Sequence, residues 1–346
     1  MLESFHAATF AALPMTLEEH VGLQLVVGLP GPRLRPELAA HLRAIHAGGF
    51  IPFTRNFDSV EQYRTLMIGL NSLGGPKPLV MVDHEGGRII RFSDGVTRFP
   101  EALSMAQSDE AAERVEEQGR TEAEELRRLG VHMNLAPCVD VLADGCDLVI
   151  GTRSYGSNPA EVGRMAAARI RGLQGARVAA CAKHFPGLGA VPKDPHKHLP
   201  TVGLDGPTIR RTHLPPFIAS INAGVEAIMS SHVCYPQLEP SRIPATFSVS
   251  LIATLLRREL RFDGVVLTDD MEMGALRELC PIGEAAVRAV AAGHDMVLVC
   301  SDLEAQREVF HALLAAYRSG RLAPGQLQRS VERIVRLRRK YSVDGP

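Results

Sequence analysis

Residues 264–269 read Gly-Val-Val-Leu-Thr-Asp: a glycine, a short β-branched apolar run, and a carboxylate at its end. A run of strand length with no alternating polar residue predicts a strand buried on both faces, as in a parallel sheet. Similar runs recur on either side, at 23–28, 50–53, 79–83, 132–139, 178–183, 226–231 and 295–300. Between them lie helical patterns. Residues 110–128 carry an apolar stripe of helical period under a charged face, and 159–173, 207–223, 248–261 and 283–292 read similarly. A glycine often precedes the next run (Gly48-Gly49, Gly130, Gly224, Gly264, Gly293), as a tight helix-to-strand turn requires. Buried strands separated by helices imply parallel pairing through right-handed crossovers. Eight such units predict an α/β fold closed as a (β/α)8 TIM barrel. No G-x-G-x-x-G follows the first run, which speaks against a dinucleotide-binding open sheet.

The chain has 346 residues, and barrels of this class reach about that length as one unit. No low-complexity linker interrupts it, so one domain over 1–346 is expected, with 302–341 forming two closing helices. The last of these is basic. Its Leu327, Val331, Ile334 and Val335 predict a face docked on the barrel, with cations near the C-terminus matching the helix dipole. Lys plus Arg number 38 and Asp plus Glu 39, a net charge of −1. No whole-molecule field draws in nucleic acid or an anionic membrane, so neither is an expected partner. A hydrophobic fraction of 45% excludes disorder as the dominant state. No apolar run approaches the roughly 18 residues of a membrane helix. The opening Met1-Leu-Glu-Ser-Phe-His has no basic region of the kind that starts a signal peptide, and none is expected. The six cysteines are scattered without a C-x-x-C pair, which fits a reducing, cytoplasmic setting. A monomer is expected.

Barrel chemistry sits at the C-terminal ends of the strands. Asp83-His84-Glu85-Gly-Gly-Arg88 and Arg91 follow the third run, and Asp140 the fourth, whose loop holds Gly151-Thr-Arg153-Ser-Tyr155-Gly156. Lys183 and His184 end the fifth, His232 follows the sixth, and Asp269-Asp270 end the seventh. Any one of these could be a local ion pair; their convergence on one rim predicts a site. The stretch after the fifth run, His184-Phe-Pro-Gly-Leu-Gly-Ala-Val-Pro-Lys-Asp194-Pro-His196-Lys-His198, is long for a strand-to-helix loop and rich in Gly and Pro. Asp194 two residues from His196 can orient the imidazole and stabilise its cation, leaving the other ring nitrogen to exchange a proton. A metal reading through His196, His198, His184 and Asp194, and a plain solvated loop, both stay open at this point. Asp269 ends a rigid apolar strand, a placement suited to nucleophilic attack. Strand alternation predicts that only one of Asp269 and Asp270 enters the site.

These segments resemble glycoside hydrolase family 3, in particular its single-domain bacterial β-N-acetylglucosaminidases (β-hexosaminidases) of peptidoglycan recycling. Residues 78–92 resemble the family's Val-Asp-Gln-Glu-Gly-Gly-Arg segment. Residues 132–141 and 151–156 resemble its Asn-x-Ala-Pro-x-x-Asp-Val and Arg-Ser-Phe-Gly segments. Lys183-His-Phe-Pro-Gly-x-Gly with Asp194-x-His196 resembles its signature and dyad loop, and residues 264–273 its nucleophile segment. The likeness covers nearly the whole chain. His84 stands where Gln is usual, Leu188 where many members have a second His, Pro195 where Ser is usual, and Thr152 and Tyr155 replace Asp and Phe. His84 and Leu188 bear on pocket shape and sugar preference.

The resemblance implies a retaining exo-β-N-acetylglucosaminidase. Asp269 is the implied nucleophile, His196 the acid/base and Asp194 its orienting partner. Asp83, Arg91, Arg153, Lys183 and His184 are the implied contacts to N-acetylglucosamine. It further implies a cytoplasmic enzyme that needs no metal or other cofactor and removes N-acetylglucosamine from muropeptides. A family 3 phosphorylase or β-glucosidase, a substrate-assisted route through Asp269 and Asp270, a metal-dependent barrel hydrolase and a non-catalytic sugar binder are the competing expectations.

Overall fold

The structure is a computed structural model that describes residues 15–75, 77–143, 149–191 and 199–341. Eight parallel strands close into a barrel in chain order: β1 (Leu25–Gly28), β2 (Gly49–Ile51), β3 (Leu79–Val82), β4 (Met133–Asn134), β5 (Ala179–Phe185), β6 (Ala227–Ser230), β7 (Val265–Asp270) and β8 (Met296–Val299). Closure is by β8 against β1, with Val297 opposite Leu25 and Val299 opposite Val27. Every residue of β1, β3, β6 and β8 is buried, as expected of strands packed on both faces. The protein therefore has the (β/α)8 TIM-barrel fold read from its sequence.

The helices start where the sequence offers caps. Ser59 accepts the N–H of Gln62 at 3.1 Å to open Val60–Asn71. Asn158 accepts the N–H of Ala160 at 2.9 Å to open Pro159–Gly175, with proline in the first turn. Helices Ala111–Arg128 and Pro159–Gly175 pack closely because glycine permits it: a Cβ on Gly172 would lie 2.1 Å from the carbonyl oxygen of Glu116. The glycines before strands serve two ends. Gly293 has φ 120°, which a helix-ending turn requires, whereas Gly264 makes room, since a Cβ there would meet the Glu226 carbonyl oxygen at 2.4 Å.

Three local readings change. The fourth strand is regular only at Met133–Asn134, because Pro137 has no N–H for the ladder. The chain nonetheless stays on the barrel wall, with Val139 N–H on the Lys183 carbonyl at 2.8 Å. The expected helix at 207–223 divides into Gly206–Thr212 and Leu214–Asn222, since Pro215 and Pro216 cannot continue a helix but can begin one. The segment expected as an α-helix at 248–261 is a wide π-type helix, Ser250–Glu259, in which Leu260 N–H reaches back to the Leu255 carbonyl.

Two helices, Leu303–Arg318 and Pro324–Tyr341, close the chain, and Leu327, Val331, Ile334 and Leu337 of the second are buried. Many of its cations are committed to neighbours. Arg333 and Arg336 pair with Asp263, Lys340 pairs with Glu226, and Arg338 donates to the carbonyls of Gly48 and Lys77. Among the described residues no helix is long and apolar enough to cross a membrane.

Candidate active site

A pocket of about 260 Å³ opens at the C-terminal ends of the strands. Its polar lining includes Asp83 and Glu85 beyond β3, Lys183 and His184 on β5, Arg153, Arg91, and both Asp269 and Asp270 on β7. Phe53, Leu188, Met229 and Met273 supply apolar wall. The structure thus brings together six of the eight residues selected from sequence: Asp269, Asp83, Arg91, Arg153, Lys183 and His184. The other two, Asp194 and His196, lie outside the described residues, as does His198.

The expectation that only one of the paired aspartates enters is corrected. The register of β7 against β8 shifts between Leu267 and Asp270, so strict alternation breaks at the strand end. Both residues line the pocket.

Four charges form the floor. Lys183 Nζ lies 2.7 Å from Asp83 Oδ1 and 2.7 Å from Glu85 Oε1. Arg153 grips Glu85 with two parallel bonds, Nε to Oε2 at 2.8 Å and a terminal nitrogen to Oε1 at 2.7 Å. Arg91 approaches the other Asp83 oxygen at 3.5 Å and lies over the Phe53 ring, 5.4 Å from its centroid. Burial alone would raise the Asp83 and Glu85 carboxyls, but the cations outweigh it: Lys183 and Arg91 lower Asp83, and Arg153 and Lys183 hold Glu85 far below the usual carboxylate range. Burial would likewise strip the proton from Lys183, yet Asp83 and Glu85 outweigh it and keep the amine charged. Glu85 is the hub of this floor and had no role in the sequence reading, although it sits inside the Asp-His-Glu-Gly-Gly segment that drew attention.

Asp140, noted only as the residue after the fourth run, is the second hub. Its carboxylate accepts His184 Nδ1–H at 2.7 Å, the Leu188 N–H at 2.6 Å and the His184 N–H at 3.2 Å. His184 is therefore held with Nδ1 toward Asp140 and its ring at the pocket wall. Cys138, Asp140 and His184 bring three possible metal-ligand atoms within 4.8 Å of one another. Asp140 is already taken up by these donors and by the Cys138 thiol at 3.4 Å, and burial pushes that thiol well up, so it stays protonated. The donor set is that of a hydrogen-bond hub.

The β3 tail is held from beneath. Asn134 clasps residue 84, donating to the His84 carbonyl at 2.7 Å and accepting its N–H at 3.1 Å. The fully buried Arg169–Glu122 pair lies against this clasp, with Arg169 3.5 Å from the Glu85 carbonyl and Glu122 3.5 Å from Asn134 Nδ2. His84 is buried below the pocket and absent from its wall; burial, with Arg169 and Arg91 nearby, pushes its imidazole down to about 4. Its Nδ1 accepts the Arg91 N–H at 3.4 Å, so its influence on the pocket runs through Arg91. Leu188, by contrast, stands in the wall itself. On the β7 side, burial with Glu272 and Asp269 close by raises the Asp270 carboxyl to about 7. His232, read from sequence as a rim residue, is instead buried and bonds the Asp270 carbonyl.

Known proteins share this architecture and sequence. Residues 16–337 match the Glycosyl hydrolase family 3 N terminal domain. The chain is 36% identical over 296 residues to a beta-hexosaminidase of Idiomarina loihiensis, covering 85% of this chain and 88% of that protein. It is 37% identical over 308 residues to a beta-hexosaminidase of Pseudomonas aeruginosa, covering 88% and 90%. A family 3 beta-N-acetylglucosaminidase from Paenibacillus sp. str. FPU-7 superposes with a TM-score of 0.91 at 39% identity, over 96% of this chain and 64% of that longer one. NagZ from Neisseria gonorrhoeae, in complex with N-trifluoroacetyl-D-glucosamine, gives 0.77 at 31% identity, over 91% and 97%. With nearly its whole length matched and a charged pocket at the end of the strands, this chain belongs to glycosyl hydrolase family 3, a family of glycoside hydrolases.

Proposed function

We propose that the protein is a retaining exo-β-N-acetylglucosaminidase that removes terminal N-acetylglucosamine from muropeptides, as a cytoplasmic monomer. The observation that carries this reading is the pocket itself, in which Asp269 shares one cavity with the buried Asp83–Lys183–Glu85–Arg153 floor. Its volume lies just under the roughly 300 Å³ at which drug-sized sites begin, which suits one sugar ring and so cleavage at a chain end. Curated relatives that match over most of their length are beta-hexosaminidases. The described cysteines are free, which suits a reducing compartment.

In the proposed reaction an Asp269 carboxylate oxygen attacks C1 as the bond from C1 to the leaving oxygen breaks, giving a glycosyl ester. His196, cationic beside Asp194, gives its proton to the departing oxygen. The neutral imidazole then takes a proton from water, the hydroxide attacks C1, and Asp269 leaves as a carboxylate. Lys183 with Asp83 and Arg91 holds ring hydroxyls through charge-assisted bonds, and His184, aligned by Asp140, offers a further polar contact. Arg153 touches the sugar less directly than the sequence suggests, because Glu85 occupies its fork. Phe53, Leu188 and the methionines cover the apolar faces that indole would cover in other sugar sites; the chain has no Trp.

Two substitutions test the assignment. Asp269→Ala is expected to bring hydrolysis of an aryl β-N-acetylglucosaminide to background, and a near wild-type rate would contradict it. His196→Ala is expected to lose about 10²–10⁴-fold on substrates whose leaving group needs a proton, and far less on activated aryl ones. Equal losses on both would remove His196 from the role of acid.

A further inference from the structure

We propose that His232, reaching from beyond β6, is a positioning residue for the nucleophile: it fixes the end of β7 at Asp270, next to the Asp269 carboxylate. This deepens the reading of Asp269 given above and rests on it. The observation is how completely the next residue is tethered. The N–H of Asp270 donates to Asp269 Oδ1 at 2.8 Å. Its side-chain Oδ1 accepts the N–H groups of Glu272 at 3.1 Å and Cys300 at 3.3 Å. Its carbonyl oxygen accepts both His232 Nε2–H at 3.0 Å and the Met273 N–H at 3.1 Å. The β7–β8 register shifts between Leu267 and Asp270, and beyond the shift Asp270 pairs with Leu298 and the Met271 N–H donates to the Leu298 carbonyl at 2.9 Å, so the ladder and the side-chain bonds hold this strand end together.

The imidazole is itself fixed. Nδ1 lies 2.6 Å from Thr246 Oγ1, whose single proton goes to Nδ1 when the ring is neutral with Nε2–H, and to the Ser231 carbonyl 3.0 Å away when Nδ1 is itself protonated. Ring and threonine are both buried. A carbonyl only accepts, so Nε2 bears a proton in either ionisation state, and the bond to Asp270 survives a change in that state. His232 is buried and does not line the pocket, so it acts through the Asp269–Asp270 strand end. An ordinary buried histidine would satisfy its nitrogens anywhere nearby; this one joins the segment after β6 to the strand end that carries the attacking oxygen.

The two amide side chains separate the two ring nitrogens. His232→Gln places its amide near Nε2 and keeps a donor for Asp270. His232→Asn places its amide near Nδ1 and keeps only the Thr246 side. Trapping by a fluorinated N-acetylglucosaminide reports ester formation on Asp269 directly. His232→Gln is expected to label, and to turn over, within about threefold of wild type. His232→Asn is expected to lose about 10²-fold in labelling rate and kcat, with KM within about threefold and the same Tm as His232→Gln, since a misplacement of about 1 Å costs on that order. Should His232→Asn not fold, Thr246→Val carries the test, with about a tenfold loss in labelling rate at unchanged KM. Equal labelling rates in the Asn and Gln variants, a loss confined to KM, or a wild-type Thr246→Val overturns the proposal while Asp269 stands. Label on another residue overturns the nucleophile assignment and this proposal together.

Discussion

Asp270 lies in the pocket beside the proposed nucleophile, yet the fold favours its neutral form. Burial, with Glu272 and Asp269 nearby, raises its carboxyl from 3.8 to about 7. A folded-state value above the unfolded one means that the fold binds the proton more tightly than the open chain does. The stabilisation is then full below the unfolded value and fades as pH rises through about 7. Asp270→Asn keeps an acceptor for the Glu272 and Cys300 N–H groups and cannot ionise. Its urea midpoint is expected to match wild type below about pH 4, to exceed it increasingly as pH rises from about 4 to about 7, and to keep a constant lead above that. A gap independent of pH would show that Asp270 is not held this way. The single-residue level is also where sequence was least informative. Asp83, Lys183 and Asp269 stand out because charged residues at the ends of apolar runs are conspicuous. Glu85, Asp140 and His232 carry equal chemistry, but their weight comes from partners 30 to 100 positions away that only the closed barrel brings near.

At the level of elements, the β3 tail that carries Asp83 and Glu85 depends on helices Ala111–Arg128 and Pro159–Gly175, which contribute Glu122 and Arg169. Both charges are fully buried, and removing one partner leaves the other uncompensated. Arg169→Leu is expected to cost about 3–5 kcal/mol by denaturant unfolding, and the double change with Glu122→Leu to recover much of it. A single variant as stable as wild type would contradict the pairing. The strands and most helices were legible because burial on both faces and a period of 3.6 leave clear marks in sequence. The exceptions have local causes. Pro215–Pro216 cuts one helix, Pro137 interrupts the fourth strand's ladder, and the wide turns of Ser250–Glu259 leave no separate period in ten residues. The register slip that turns both Asp269 and Asp270 into one pocket has no marker in the sequence at all.

At the scale of the whole molecule, eight strands in chain order put every strand end on one rim, so residues 83, 153, 183 and 269 share a single cavity. The near-neutral charge and the paired cations of the last helix leave that rim as the place where polar groups converge. In the proposed reading the fold supplies a cradle for one sugar ring and presents the Asp269 oxygen to it from β7. The most direct test of this account is mass spectrometry of the wild-type protein quenched with a fluorinated N-acetylglucosaminide and digested. The account predicts one glycosyl adduct, on the peptide spanning the end of β7, localised by fragmentation to Asp269. Turnover of the probe's aryl parent with no adduct anywhere, or an adduct on a different carboxylate, would contradict it.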